Sequence, residues 1–134
     1  MIGIDTNVLL RLLVRDHDAQ VRAVERYIAK HCTSEEPGFV SRGVIIEVAW
    51  ALRRIYDYDR AQITAALRGL LDVSEFEVES ADEIHCAVKD FENSAVGFVD
   101  CLLARTNLAA GCDHTITFDR KAAKLTGFKL LTGG

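Results

Sequence analysis

The sequence predicts an α/β fold in which a parallel sheet is covered by helices on both faces, and three observations lead there. Short apolar runs alternate with stretches of helical period from one end of the chain to the other. The 134 residues suit one domain, long enough to bury roughly two-thirds of its unfolded surface. Hydrophobic residues make up 49% with a single proline, Pro37, so no linker, repeat or low-complexity segment divides the chain. A single domain over residues 1–134 is expected.

The first strand is read at Met1 to Ile4, followed by helices over Thr6 to Val14 and Ala19 to Lys30. Pro37 and Gly38 mark a break, and Gly38 to Val40 forms a short strand ending at Ser41. That serine caps a long helix holding Val44, Ile45, Val48, Ala49, Leu52 and Ile55. Asp59 caps the next helix, Arg60 to Leu71, after which Phe76 to Val78 alternates as a strand. Ser80 or Ala81 opens a helix to about Glu92, and small residues fill Asn93 to Gly97. A strongly apolar helix then runs from Val99 to Ala110 and stops at Gly111. A strand His114 to Phe118, Asp119, a short helix and a last strand Phe128 to Leu131 complete the chain.

Composition narrows the function. Asp5, Arg11 and Arg15 interrupt the N-terminal apolar run, so neither a signal-peptide core nor a membrane span of about 20 residues fits, and a cytoplasmic protein is expected. Cys32, Cys86, Cys101 and Cys112 form no Cys-x-x-Cys pair and are read as reduced core thiols. The scattered His17, His31, His85 and His114 lack zinc-finger spacing. With 20 acidic against 16 basic residues the net charge is −4, the wrong sign for holding a polyanion by long-range attraction. A nucleic-acid substrate would need metal or local basic patches.

Parallel topology gathers acids. Every strand ends at one edge of such a sheet, so Asp5, after the first strand, and Asp119, after the His114 strand, share that edge. Glu47 and Asp100 sit near the starts of helices expected to begin there. Each has an ordinary explanation to set beside this one: Asp5 as a helix cap, Asp119 as a turn residue before Arg120 and Lys121. Glu47 lies between Ile46 and Val48, and Asp100 follows Phe98 and Val99; capping explains these two less well, and Glu47 is expected to be shielded from free solvation. Two carboxylates about 5 Å apart repel by roughly 3 kcal/mol at an effective dielectric of 20, so a cluster should show raised pKa values. Divalent cations remove that repulsion, and an all-oxygen donor set favours Mg²⁺ or Mn²⁺. Thr6, Asn7, Thr115 and Thr117 are polar neighbours suited to orienting the acids.

With Asp5-Thr6-Asn7, Glu47 within Val44 to Val48, Phe98 to Ala104 around Asp100, and Thr117-Phe118-Asp119-Arg120-Lys121 in this order, the chain resembles a PIN domain over nearly its whole length, most like the toxin half of a VapBC-type toxin–antitoxin pair. The resemblance implies a three-layer α/β/α sandwich with a central parallel sheet of about five short strands. It also implies a Mg²⁺- or Mn²⁺-dependent endoribonuclease that acts on RNA, forms a homodimer and is held inactive by a cognate antitoxin. Asp5, Glu47, Asp100 and Asp119 match the family's catalytic and metal-binding acids; Thr6, Asn7 and Thr117 match or adjoin supporting positions. Gly97-Phe98-Val99 departs from the usual lead into the third acid, which bears on the loop rather than on the carboxylate. Two other readings compete. A phosphoacceptor or phosphatase-type domain also starts with an Asp after strand one, but Asn7 stands where phosphatases of that type need a second Asp. The other is a PIN-like binding module without catalysis.

Overall fold

The computed structural model describes residues 1–133, and the chain divides into two compact units, Met1–Ala81 and Asp82–Gly134. The first carries β1 (Ile2–Gly3), α1 (Thr6–Val14), α2 (Asp18–His31), β2 (Gly38–Val40), α3 (Arg42–Arg54), α4 (Arg60–Leu71) and β3 (Phe76–Val78). The second carries α5 (Ala81–Glu92), whose first residue closes the preceding unit, then α6 (Phe98–Ala109), β4 (Thr115–Thr117), a 3-10 turn (Ala122–Lys124) and β5 (Phe128–Leu130). The fold is α/β, and every strand pairing is parallel.

The strands form two ladders instead of a single five-stranded sheet: β1-β2-β3 in the first unit and β4-β5 in the second. Alternation in the sequence fixes strand number and direction, but segments of two or three residues make too few ladder bonds for the pattern to name their partners. Registers are Ile2 opposite Gly38, Gly38 opposite Phe76, and Thr115 opposite Phe128.

Local chemistry explains where helices begin and end. Ser41 Oγ accepts the Val44 N–H at 3.2 Å and starts α3, while Asp59 and Gln62 form a reciprocal capping box that starts α4. Helix α6 ends in a Schellman motif: Cys112 N–H reaches the Asn107 carbonyl at 2.9 Å, Gly111 N–H reaches Leu108 at 3.0 Å, and Gly111 adopts φ 98°. Leu9, Ile45, Leu52, Ile63 and Leu67 are the largest fully buried side chains of the first unit; each contributes about 1.5–3 kcal/mol by leaving water. In the second, Phe91 and Phe98 pack edge to face with ring centroids 6.1 Å apart.

The four cysteines are free, but only Cys32 and Cys101 are core residues. Cys86 is exposed because an apolar stretch on a helix still has an outward side, and Cys112 because it lies beyond the end of α6, after Gly111. Among the described residues no helix is long and apolar enough to cross a membrane.

Gly38 lets β1 and β2 approach. A Cβ there would meet Ile4 Cδ1 at 2.9 Å and Cys32 Sγ at 3.3 Å. Both neighbours are buried, so neither can swing away freely. Gly38→Ala is therefore expected to destabilise the protein by about 1–3 kcal/mol, the usual range for an overpacked core; urea denaturation reads this, and an unchanged midpoint would refute the close approach.

Candidate active site

Within the first unit the parallel pairing of β1 and β2 places their ends at one edge, and α1 and α3 both start there. Ile4 N–H donates to the Phe39 carbonyl at 2.9 Å, extending the ladder up to Asp5. Asp5 is the N-cap residue of α1 through its backbone: its carbonyl accepts the Val8 and Leu9 amides at 3.1 and 3.3 Å. Its side chain accepts no helix amide. The capping explanation for this carboxylate thus does not hold, and the exposed side chain of Asp5 stands at the strand end.

Thr6 is 8% exposed, and its hydroxyl donates to Glu47 Oε2 at 3.0 Å across 41 residues of sequence. That bond ties the start of α1 to the second turn of α3 and sets the Glu47 carboxylate beside the Asp5-Thr6 segment. Glu47 itself is exposed, against the sequence expectation, because α3 turns Ile45 and Val48 inward and leaves Glu47 and Trp50 on its open side. Asn7 is exposed in the first turn of α1.

Within the second unit Asp100 is the first-turn acid of α6, which begins after Gly97 in extended backbone. Partial burial raises the Asp100 carboxyl above its usual pKa, and the negative charge of Asp119 raises it further. The two acids, 19 positions apart in sequence, therefore sense each other. Asp119 also fills the turn role set out above: Oδ1 accepts the Lys121 and Ala122 amides at 2.8 and 3.2 Å. Thr117 fixes this turn, its Oγ1 accepting the Asp119 amide at 3.0 Å.

Three contacts that sequence reasoning missed hold α6 in place. Arg105 grips Asp90 of α5 with two bonds, Nε–Oδ2 at 2.6 Å and Nη2–Oδ1 at 2.9 Å, and this pairing raises the Arg105 pKa. Thr106 Oγ1 donates to Glu83 Oε2 at 3.2 Å, and Asn107 Nδ2 donates to Thr115 Oγ1 of β4 at 2.8 Å. The only available signal was a cluster of polar residues at 105 to 107 ending an otherwise apolar helix, and it names no partner.

Each unit thus carries a pair of acids: Asp5 with Glu47, and Asp100 with Asp119. Among the described residues no three Asp, Glu, His or Cys side chains assemble into a ready-made cage. Such a donor set still fits Mg²⁺, which keeps several waters and typically takes one or two carboxylates alongside substrate phosphate oxygens. Soft or imidazole-preferring metals are poorly served by carboxylates alone.

Residues 2–128 match the family model described as PIN domain. The chain is 30% identical over 126 residues to the VapC ribonuclease of Aquifex aeolicus (strain VF5), an alignment covering 94% of this chain and 92% of that protein.

Proposed function

Because the chain belongs to the PIN domain family, we propose that it is a metal-dependent endoribonuclease, the toxin component of a cytoplasmic toxin–antitoxin pair, and that residues 1–134 work as one domain. The observation that carries this reading is the alignment with a VapC ribonuclease over 94% of the chain, alongside the PIN domain match over residues 2–128, a span that contains both acid pairs. The cofactor is Mg²⁺ or Mn²⁺, the substrate is RNA, and the active form is a homodimer.

In this reading Asp5, Glu47, Asp100 and Asp119 hold the metal and serve one reaction. A divalent cation held there would supply a water of lowered pKa and positive charge to offset that on the scissile phosphate and the leaving oxygen. The protein's own part is to present and orient the four carboxylates. Thr6 fixes the rotamer of Glu47 by its hydroxyl, Thr117 shapes the Asp119 turn, and Asn7 offers an exposed amide beside Asp5. The cognate antitoxin inhibits by setting a Lys or Arg side chain among the carboxylates, where it competes with the cation.

Cleavage of single-stranded and structured RNAs with Mg²⁺ or Mn²⁺ tests the activity; no cleavage of any of them refutes it. Metal binding has a separate readout. Trp50, the sole tryptophan, is 58% exposed and lies three residues after Glu47 on α3. Mn²⁺ is expected to quench its fluorescence saturably in the wild type and much more weakly in Glu47→Gln. Equal quenching in the two proteins would count against Glu47 as a ligand.

A further inference from the structure

The second unit contains a cavity of about 550 Å³, within the range of small-ligand pockets. Its walls are two segments that carry other duties. One is the loop 94–96 leading into α6, where Val96 N–H donates to Ser94 Oγ at 3.2 Å and the Val96 carbonyl accepts from Cys101 Sγ at 3.9 Å. The other supplies Arg120, Lys121, Lys124 and Leu125 and starts at Asp119, whose carboxylate accepts the Lys121 amide. The first wall therefore leads to Asp100 and the second begins at Asp119, the two acids that sense each other.

Arg120, Lys121 and Lys124 are exposed, and among the described residues no carboxylate pairs with any of them. This is a local concentration in an acidic chain. Four of the second unit's Lys and Arg residues, Arg120, Lys121, Lys124 and Lys129, fall within a single ten-residue stretch. Against the cations stand the apolar side chains of Ala95, Val96 and Leu125. Three unneutralised cations beside an apolar wall match a ligand with an anionic backbone and flat apolar rings. A nucleotide has both.

We infer that this cavity is a nucleotide subsite for the RNA strand: Arg120, Lys121 and Lys124 take the phosphodiester next to the one cleaved, and the apolar wall takes its base. The inference rests on the ribonuclease reading and adds to it the place where the strand is held beside Asp100 and Asp119. An overall charge of −4 gives no general attraction for RNA, so this patch supplies much of the electrostatic hold on the strand.

The test is fluorescence anisotropy of a labelled single-stranded RNA with the full chain in Mg²⁺, using the Asp100→Asn background in every arm so that the strand survives. Arg120→Gln/Lys124→Gln is compared with Arg22→Gln/Lys30→Gln, which removes two exposed cations from α2. Losing two phosphate contacts on a single strand flattens the plot of log affinity against log salt by about 1.4, so the deficit relative to the parent grows about sevenfold from 200 to 50 mM salt. The α2 variant keeps the parent slope. Equal slopes in the two variants overturn the subsite, as does displacement of the strand by poly-glutamate as readily as by unlabelled RNA. Wild-type cleavage of the same strand is read in parallel. Cleavage with an unaltered slope removes the subsite alone; a flattened slope without cleavage removes the ribonuclease reading and leaves a strand-binding cavity.

Discussion

Asp100→Asn is expected to lower RNA cleavage about a thousandfold while making the metal-free protein more stable. The loss follows from the metal-holding role proposed for this carboxylate: several kcal/mol of charge stabilisation in the transition state corresponds to two to three powers of ten in rate. The gain follows from the raised Asp100 pKa, caused first by burial and then by Asp119. An acid with a raised folded-state pKa favours folding when protonated, so its penalty is absent below the unfolded value of 3.8 and grows as pH rises through the folded value. The asparagine, neutral throughout, escapes that penalty. Because Asp100 is only partly buried, solvent screening keeps the difference small. Thermal melts of both proteins with EDTA at neutral pH and near pH 3.5 check the sign: the variant melts higher at neutral pH, and the gap closes in acid. A variant that melts lower at neutral pH would contradict the strain assigned to this carboxylate.

Thr6→Val is expected to reduce cleavage by about 10- to 100-fold, the usual cost of losing a partner that orients a metal ligand, the role proposed for Glu47. Valine keeps the shape of the side chain and its burial but deletes the hydroxyl that donates to Glu47 Oε2 at 3.0 Å. Glu47 has no apolar shell to hold its rotamer, being exposed on α3, so that hydroxyl is its positional restraint. Thr6→Ser, which retains the donor, is expected to stay within a few-fold of the wild type. Mn²⁺ quenching of Trp50 separates positioning from general destabilisation: the midpoint moves to higher metal concentration in Thr6→Val and returns in Thr6→Ser. A Thr6→Val protein with an unshifted midpoint would show that the bond does not position Glu47.

These results depend on parts of the molecule that differ in how far the sequence reveals them. The capping roles of Ser41 and Asp59 and the stop at Gly111 rest on chemistry between residues a few positions apart, and each is found where the sequence puts it. The parallel direction of the strands follows from their alternation with helices, and it accounts for α1 and α3 starting at the same edge. Facts set by distant partners were not legible. Arg105 and Asp90 lie 15 positions apart on different helices, and nothing in either segment names the other. The exposure of Glu47 shows the limit of reading burial from sequence neighbours: on a helix the adjacent Ile46 and Val48 point in other directions, and the open side is set by what α3 packs against. Asp5 shows the converse. Its position before a helix suits a cap, yet only its backbone performs that role.

The claim that Asp5 and Asp100 serve one reaction, though each belongs to a different unit, is tested most directly by the cleavage rates of Asp5→Asn, Asp100→Asn and the double variant on a single RNA strand with Mn²⁺. Residues that act as a unit lose their effect together, so the double variant should cleave within about tenfold of the slower single variant. Losses that multiply, or a single variant that cleaves as fast as the wild type, would contradict it.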